Sequence, residues 1–231
     1  MLMPGVGFLV VASDCLAAHV AARLPGADRL RIGTSRSLFL SRGSAKTMIG
    51  LVADAVTVRR NGVLTSVPIG AVEHEFDYGH GRQRSTAMSM AELVTAFRTT
   101  GIRNIEAYVE VNPVERAALR LAARLAWLVR NPLCQIALQT QVELLPDGPL
   151  DDDRRHRART VVVEAEDQTG RTVCSRVFTP EAYRFTATTA LTIAGRVLRN
   201  EFQAGFQTPA RVYGADFMLG LDGVRREDVT G

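Results

Sequence analysis

Two spacings of apolar residues divide this chain. Alternation at every second position suits a strand with one buried face, and recurrence every three to four positions suits one face of a helix. Alternation is clearest in Thr160 to Glu166 and Thr172 to Phe178, which flank Gln168-Thr169-Gly170 and form the strongest hairpin signal. Ile105 to Val111 alternates as well, with Ile105, Ala107, Val109 and Val111 on one side. A second hairpin joins Val58 to Arg60 and Val63 to Pro68 through Asn61-Gly62, a dipeptide that accepts positive φ. Leu2 to Val11 reads as a short buried strand, Leu30 to Gly33 as another, and Val72 to Phe76 and Arg84 to Met88 as two more.

Helical spacing fills the rest. Ser13 or Asp14 starts a helix through Cys15 to Leu24, which Pro25-Gly26 stops. The polar turn Ser41-Arg42-Gly43-Ser44 offers an anion contact and leads into a helix from Ala45 to Val56. Met90 to Thr99 precedes Gly101, and Pro113 opens a long helix over Val114 to Val129 with an arginine face. Leu133 to Leu144 and Thr186 to Phe202 complete the helices, Pro146 to Arg159 is the expected flexible loop, and Gly205 to Leu221 reads as a turn and final strand. The expectation is a single α+β domain over residues 1–231, with a mixed, largely antiparallel sheet and helices mainly on one face.

Composition narrows the function. The net charge is +4, but Lys46 is the sole lysine and many arginines sit beside acids, as at Asp151-Asp152-Asp153-Arg154-Arg155. No basic run with interleaved aromatics suggests a nucleic-acid surface. Cys15, Cys134 and Cys174 are odd in number, far apart and without a CxxC pair, so reduced, structural thiols and a cytoplasmic location are expected. Met1 to Val11 lacks a basic leader and is broken by Pro4, Gly5 and Gly7. No apolar run approaches the roughly 20 residues of a membrane span, so a soluble protein is expected.

Several strings occur in one order: Pro4-Gly5-Val6-Gly7-Phe8, Ser13-Asp14-Cys15-Leu16-Ala17, Ser41-Arg42-Gly43-Ser44-Ala45-Lys46-Thr47, Arg59-Arg60-Asn61-Gly62 and Phe76-Asp77-Tyr78-Gly79. Thr100-Gly101-Ile102-Arg103-Asn104-Ile105, Thr179-Pro180-Glu181-Ala182-Tyr183, Thr208-Pro209-Ala210-Arg211 and Gly214-Ala215-Asp216-Phe217 follow. Together they resemble the saccharopine-dehydrogenase-like oxidoreductases, a group that includes trans-acting enoyl reductases of polyketide and lipid assembly. The resemblance implies a dinucleotide-binding Rossmann half followed by a mixed-sheet substrate and dimerisation half, and this chain matches the second half only. Gly5-Val6-Gly7 is no phosphate loop of its own, since Val10 stands where a third glycine belongs. No cofactor is therefore expected. Two departures stand out: Leu9 replaces an Asp after the Gly-Phe pair, and Met90-Ala91-Glu92 replaces Trp-Gly-Asp. Both point to a pocket reshaped for a greasier ligand.

Residues with chemistry are few. His74, Glu75, Asp77 and His80 share a strand and turn; without HExxH or Cys/His spacing they do not form a zinc site, and no metal is expected. His74 or His80 is a general-base candidate, against the alternative of a solvated hairpin. Lys46, in the first turn of its helix, can meet an acyl carbonyl or carboxylate, or form an ordinary ion pair. Tyr108 can donate to a carbonyl in an apolar pocket, or sit satisfied in the core. Leu9, Arg42, Ser44, Met90, Asn104 and Trp127 complete the expected substrate contacts, although core packing or a dimer contact is the favoured reading of Trp127. Three functions follow. The first is a cofactor-independent enzyme that cyclises or isomerises an apolar polyketide- or acyl-type substrate. The second is the substrate half of a split reductase completed by a Rossmann-bearing partner chain. The third is a non-catalytic binding module; a homodimer is expected.

Overall fold

Alternating strands build one nine-stranded mixed sheet among the residues that the computed structural model describes, 1–36, 41–53, 55–129, 131–143 and 158–229. The strands are β1 (Arg29–Thr34), β2 (Val56–Arg60), β3 (Val63–Val67), β4 (Glu73–Asp77), β5 (Arg82–Ala87), β6 (Asn104–Glu110), β7 (Arg159–Glu166), β8 (Thr172–Thr179) and β9 (Arg225–Val229). Their order is β3-β2-β6-β1-β7-β8-β9. β6 shares one side between two neighbours: β2 meets it at Ile105, and β5 meets it from Tyr108 to Glu110. Only β1 and β6 run parallel, from Arg29 opposite Asn104 to Thr34 opposite Val109. The other described pairings are antiparallel, so the fold is α+β as the alternation predicts.

One face of the sheet carries the main core. There α1 (Phe8–Arg23), α3 (Glu92–Thr100), α7 (Ala182–Leu198), α8 (Pro209–Tyr213) and a 3-10 helix (Phe217–Gly220) cover Leu30, Ile32, Ile105, Val161 and Val163. On the opposite face, the β4–β5 hairpin folds back over β1. Its Phe76 and Tyr78 pack with Val58, Tyr108 and Val162. Gly33 makes that approach possible, because a Cβ there would lie 2.7 Å from the Phe76 ring and 2.8 Å from the Tyr78 hydroxyl. The remaining helices, α2 (Arg42–Ala53), α4 (Pro113–Arg124), α5 (Ala126–Val129) and α6 (Pro132–Glu143), pack mainly on one another beyond the sheet.

Several expected elements differ. The helix expected from Ala45 to Val56 is α2, Arg42–Ala53, and Val56 opens β2. Ser13 and Asp14, expected to start a helix, lie inside α1, because the apolar run before them joins the helix. The strand expected over Leu2 to Val11 is a single Leu2–Phe206 bridge followed by the first turn of α1. The apolar run continues past Asp14 into Cys15-Leu16-Ala17, and a helix buried nearly all round carries no face pattern to distinguish it from a buried strand. The long helix over Val114 to Val129 is α4 and α5, separated at Leu125, whose φ of −100° and ψ of 22° leave helical geometry. The helix expected over Thr186 to Phe202 starts earlier, at Ala182, because the Glu181 carboxylate accepts the amides of Tyr183 and Arg184. Residues 205–221 hold α8 and the 3-10 helix; Pro209 fills the first turn of α8 after Thr208, and the final strand is β9. The loop expected over Pro146 to Arg159 lies outside the described residues except at its end, where Arg159 begins β7.

Candidate functional site at the ends of the parallel strands

The carboxyl ends of β1 and β6 stop at a cavity of about 750 Å³. Thr34 and Val109-Glu110-Val111 form its floor, the first turn of α1 from Gly7 to Val10 one wall, and Glu115, Ala118, Leu119 and Ala122 of α4 the facing wall. Ala182, Tyr183 and Thr186 of α7, with Ser44 of α2, close another side. Crevices at the carboxyl ends of parallel strands are common ligand sites, because helices diverge there and leave a gap. Aliphatic and aromatic side chains supply most of the lining, and Arg36, Arg159, Glu110 and Glu115 bring charge to it.

Local chemistry holds the walls. No side chain caps α1 at Gly7; the Phe8 amide donates to Thr186 Oγ1 at 3.0 Å, tying α1 to α7. A Cβ on Gly5 would fall 2.7 Å from the Val10 side chain, and one on Gly7 would fall 3.1 Å from Thr186, so both glycines serve close packing. Across the cavity, α4 opens with a reciprocal cap: Asn112 Oδ1 accepts the Glu115 amide at 2.7 Å, and Glu115 Oε2 accepts the Asn112 amide at 2.9 Å. Glu115 Oε1 also accepts from Arg36 Nη1 at 3.3 Å, and the Arg36 amide donates to Glu110 Oε2 at 2.9 Å. Arg159 donates to the Arg36 carbonyl, and its guanidinium stands 6.0 Å from the centre of the Phe8 ring.

Tyr183 brings a hydrogen-bonded phenol to the lining. Its oxygen accepts the Ser41 amide at 3.0 Å and lies 3.2 Å from Ser44 Oγ, which is 3.1 Å from Ser41 Oγ. Burial alone would raise the phenol's pKa, but these hydrogen bonds outweigh it and bring the group below its ordinary value. Because the phenol oxygen already accepts the Ser41 amide, its own hydrogen is left for Ser44 Oγ or for a group inside the cavity.

Of the residues singled out in the sequence, Leu9, Ser44 and Met90 line this cavity together. The others do not. Lys46 and Arg42 both reach Glu143 of α6, with Arg42 Nη1 3.5 Å from Oε2. Tyr108 lies in the opposite-face core and donates to Glu106 Oε2 at 2.7 Å; burial and the Glu106 carboxylate raise its pKa well above the usual phenol range. His74 pairs with Glu164 at 2.7 Å, its ring centre 4.6 Å from that of Phe76. His80 comes closest, its Nε2 3.7 Å from Glu110 Oε1 on the outer rim. Asn104 sits at the far end of β6, bonded to the Asp28 carbonyl and the Asn61 amide, and Trp127 is exposed on α5. Among the described residues no three His, Cys, Asp or Glu side chains come together as metal ligands, and no helix is long and apolar enough to cross a membrane.

Sequence reasoning passed over Tyr183, Arg36, Glu110, Glu115 and Arg159. Asn112-Pro113-Val114-Glu115 spells a capping box and could have marked Glu115. Tyr183 closes the string Thr179-Pro180-Glu181-Ala182-Tyr183, which carries no sign of its serine partners, 142 and 139 residues away.

This open mixed sheet, helix-covered on one face and cleft at its parallel strand ends, defines an α+β protein with a distant saccharopine-dehydrogenase-like fold. The structure is similar to the apo form of a histidine-tagged, L-Glu-forming saccharopine dehydrogenase from Saccharomyces cerevisiae, with a TM-score of 0.57 and 9% identity, over 97% of this chain and 73% of that one. At that identity the likeness is one of fold. No family model matches the sequence, and no curated protein matches it.

Proposed function

We propose that this chain corresponds to the substrate and dimerisation half of a saccharopine-dehydrogenase-like reductase and acts as an enzyme without a nicotinamide, cyclising or isomerising an apolar polyketide- or lipid-like substrate. The observation that carries the reading is a largely apolar cavity of about 750 Å³ holding a hydrogen-bonded phenol, Tyr183, and a carboxylate, Glu110. A pocket of that size and character suits a flexible acyl chain with one or two polar handles. In this reading Tyr183 donates its proton to a substrate carbonyl oxygen while Glu110 takes a proton from the adjacent carbon. Protonated Glu110 then returns its proton, either to another carbon of the enol, giving an isomer, or to the oxygen of a second carbonyl that the enol carbon attacks, giving a ring; in both cases the Tyr183 phenolate takes back the enol O–H proton as the carbonyl re-forms. Leu9, Met90 and Leu119 hold the chain folded so that the reacting carbons meet, a confinement that supplies part of the barrier reduction. The packing role of Gly5 and Gly7, entered from a lone bridge and not a strand, supports a site that is not built around a pyrophosphate.

The test is turnover of a poly-β-ketone or enone acyl probe by the purified chain without nicotinamide. Tyr183→Phe should lower the rate roughly a hundredfold, with probe binding changed only a few-fold. Unchanged turnover in Tyr183→Phe, or reduction of the alkene that depends on NADPH with this chain alone, would overturn the reading.

A second reading, the substrate half of a split reductase, is favoured by exposed apolar side chains before α1 (Leu2), on α7 (Leu191 and Leu198) and just past its end (Phe202). A stable complex with a nucleotide-binding chain, in which that surface becomes protected, would select it over the first.

A further inference from the structure

The helices beyond the sheet carry a surface that the cavity does not use. On α4, Ala118, Leu119 and Ala122 face the cavity, whereas Val114, Leu121 and Leu125 follow a seven- and four-residue spacing along a second, exposed stripe. Exposed large apolar side chains recur on α5 and α6. Trp127 is 74% exposed, Leu133 77% and Ile136 60%, and α4 buries no residue at all. Large apolar side chains at such exposure mark an interaction surface.

Charge decides what covers it. Residues 116–142, between Glu115 and Glu143, contain four arginines and no acidic residue. Three of them, Arg116, Arg120 and Arg124, recur at four-residue spacing and, with Pro113, Ala117 and Leu121, line a shallow groove of about 260 Å³ beside the apolar stripe. One carboxylate, Glu73, faces two of these arginines: Arg120 Nη2 donates to its Oε1 at 2.9 Å, while Arg116 Nη1, shielded from solvent and without a hydrogen bond, lies 3.8 Å from its Oε2, so the row keeps an excess of positive charge. A second copy of this surface would set arginine rows against each other. A bilayer containing anionic phospholipid satisfies both features, since acyl chains receive the leucines and tryptophan while headgroup phosphates meet the guanidinium forks.

We propose that α4 to α6 form a docking face for an anionic lipid bilayer surface, with Trp127 lying at the level of the headgroups. The proposal goes beyond the reading of the cavity and stands without it. Its consequence for that reading is that α4 presents one face to the bilayer and another to the ligand chamber, so an acyl substrate has a short route between them.

Trp127 is the sole tryptophan, so its emission reports on this surface alone. The full chain is titrated with vesicles of phosphatidylcholine, with or without phosphatidylglycerol, and followed by tryptophan fluorescence and flotation. With phosphatidylglycerol present, the emission should shift to the blue, brominated acyl chains should quench it, and the protein should float. Raised salt should weaken the partition, and the double variant Arg120→Glu, Arg124→Glu should weaken it roughly tenfold or more. Leu121→Asp and Leu133→Asp should abolish flotation while the circular dichroism spectrum stays unchanged. Inorganic phosphate at matched ionic strength should not release the protein, which separates a lipid surface from a soluble anion. Emission that ignores both vesicle types overturns the proposal. So does a concentration-dependent dimer that Leu121→Asp dissociates, which would assign the surface to a second copy. Turnover of a soluble probe by Leu133→Asp is measured separately, so failure at the bilayer and failure at the cavity are distinguishable.

Discussion

At Gly33 the second core rests on a missing side chain. A Cβ would meet Phe76 and Tyr78 at 2.7 and 2.8 Å, and both rings are fully buried, so neither can step aside. Gly33→Ala is expected to cost about 1–3 kcal/mol, read as a lower urea midpoint. Glu92 gives a pH-dependent prediction. Its side chain is 1% exposed, neither carboxyl oxygen has a hydrogen-bond partner, and burial pushes its pKa up to about 7; the nearby buried Asp14 is raised by burial too. The folded protein thus keeps a proton that the unfolded chain releases near its ordinary value. Stability is full below that value and falls as pH rises through about 7, by on the order of 3 kcal/mol from Glu92. Denaturation at pH 5 and pH 8 should show the fall, and Glu92→Leu should flatten it. Residue identity made part of the site legible: Leu9 and Met90 departed from a pattern, Ser44 sat in a polar turn, and all three line one cavity. Tyr108 and Lys46 look alike in sequence as isolated reactive groups. Only folding decides that one is enclosed beside Glu106 and the other paired with Glu143.

Among the elements, hairpins were the most legible, because turn chemistry is local. Asn61 and Gly62 adopt φ of 50° and 84°, as their turn demands. The start of α1 was not, since the burial of that helix comes mainly from α3, α7, α8, β7 and β8, all far away in sequence. α4 offers a test of local chemistry separated from packing. It buries no side chain, so its reciprocal cap contributes a large share of its persistence. Asn112→Ala should cost about 1 kcal/mol there and speed amide exchange in α4 roughly fivefold, with the global urea midpoint nearly unchanged. A matching loss in the midpoint would mean that α4 opens only when the whole protein does.

At the scale of the whole molecule, the strand order β3-β2-β6-β1-β7-β8-β9 has two unlike ends among the described residues. β9 presents Arg225, Arg226, Glu227 and Asp228, a charged edge that resists pairing with another chain. β3 presents exposed Val63 and Leu64 on an edge without such protection. Leu64→Lys is therefore expected to raise the concentration at which light scattering appears, while stability moves by no more than about 0.5 kcal/mol. The α+β class and the largely antiparallel sheet were legible from alternation; the single parallel pair was not, because β1 and β6 are brought side by side by everything folded between them.

That pair also determines how the ligand chamber responds to load. Its floor belongs to the hydrogen-bonded centre of the sheet, whereas the α4 wall has no anchor in the core. Under the proposed binding of an acyl chain, the cavity is expected to behave as a vice with one fixed jaw: hydrogen exchange should change with ligand bulk in α4 and stay constant in β1 and β6.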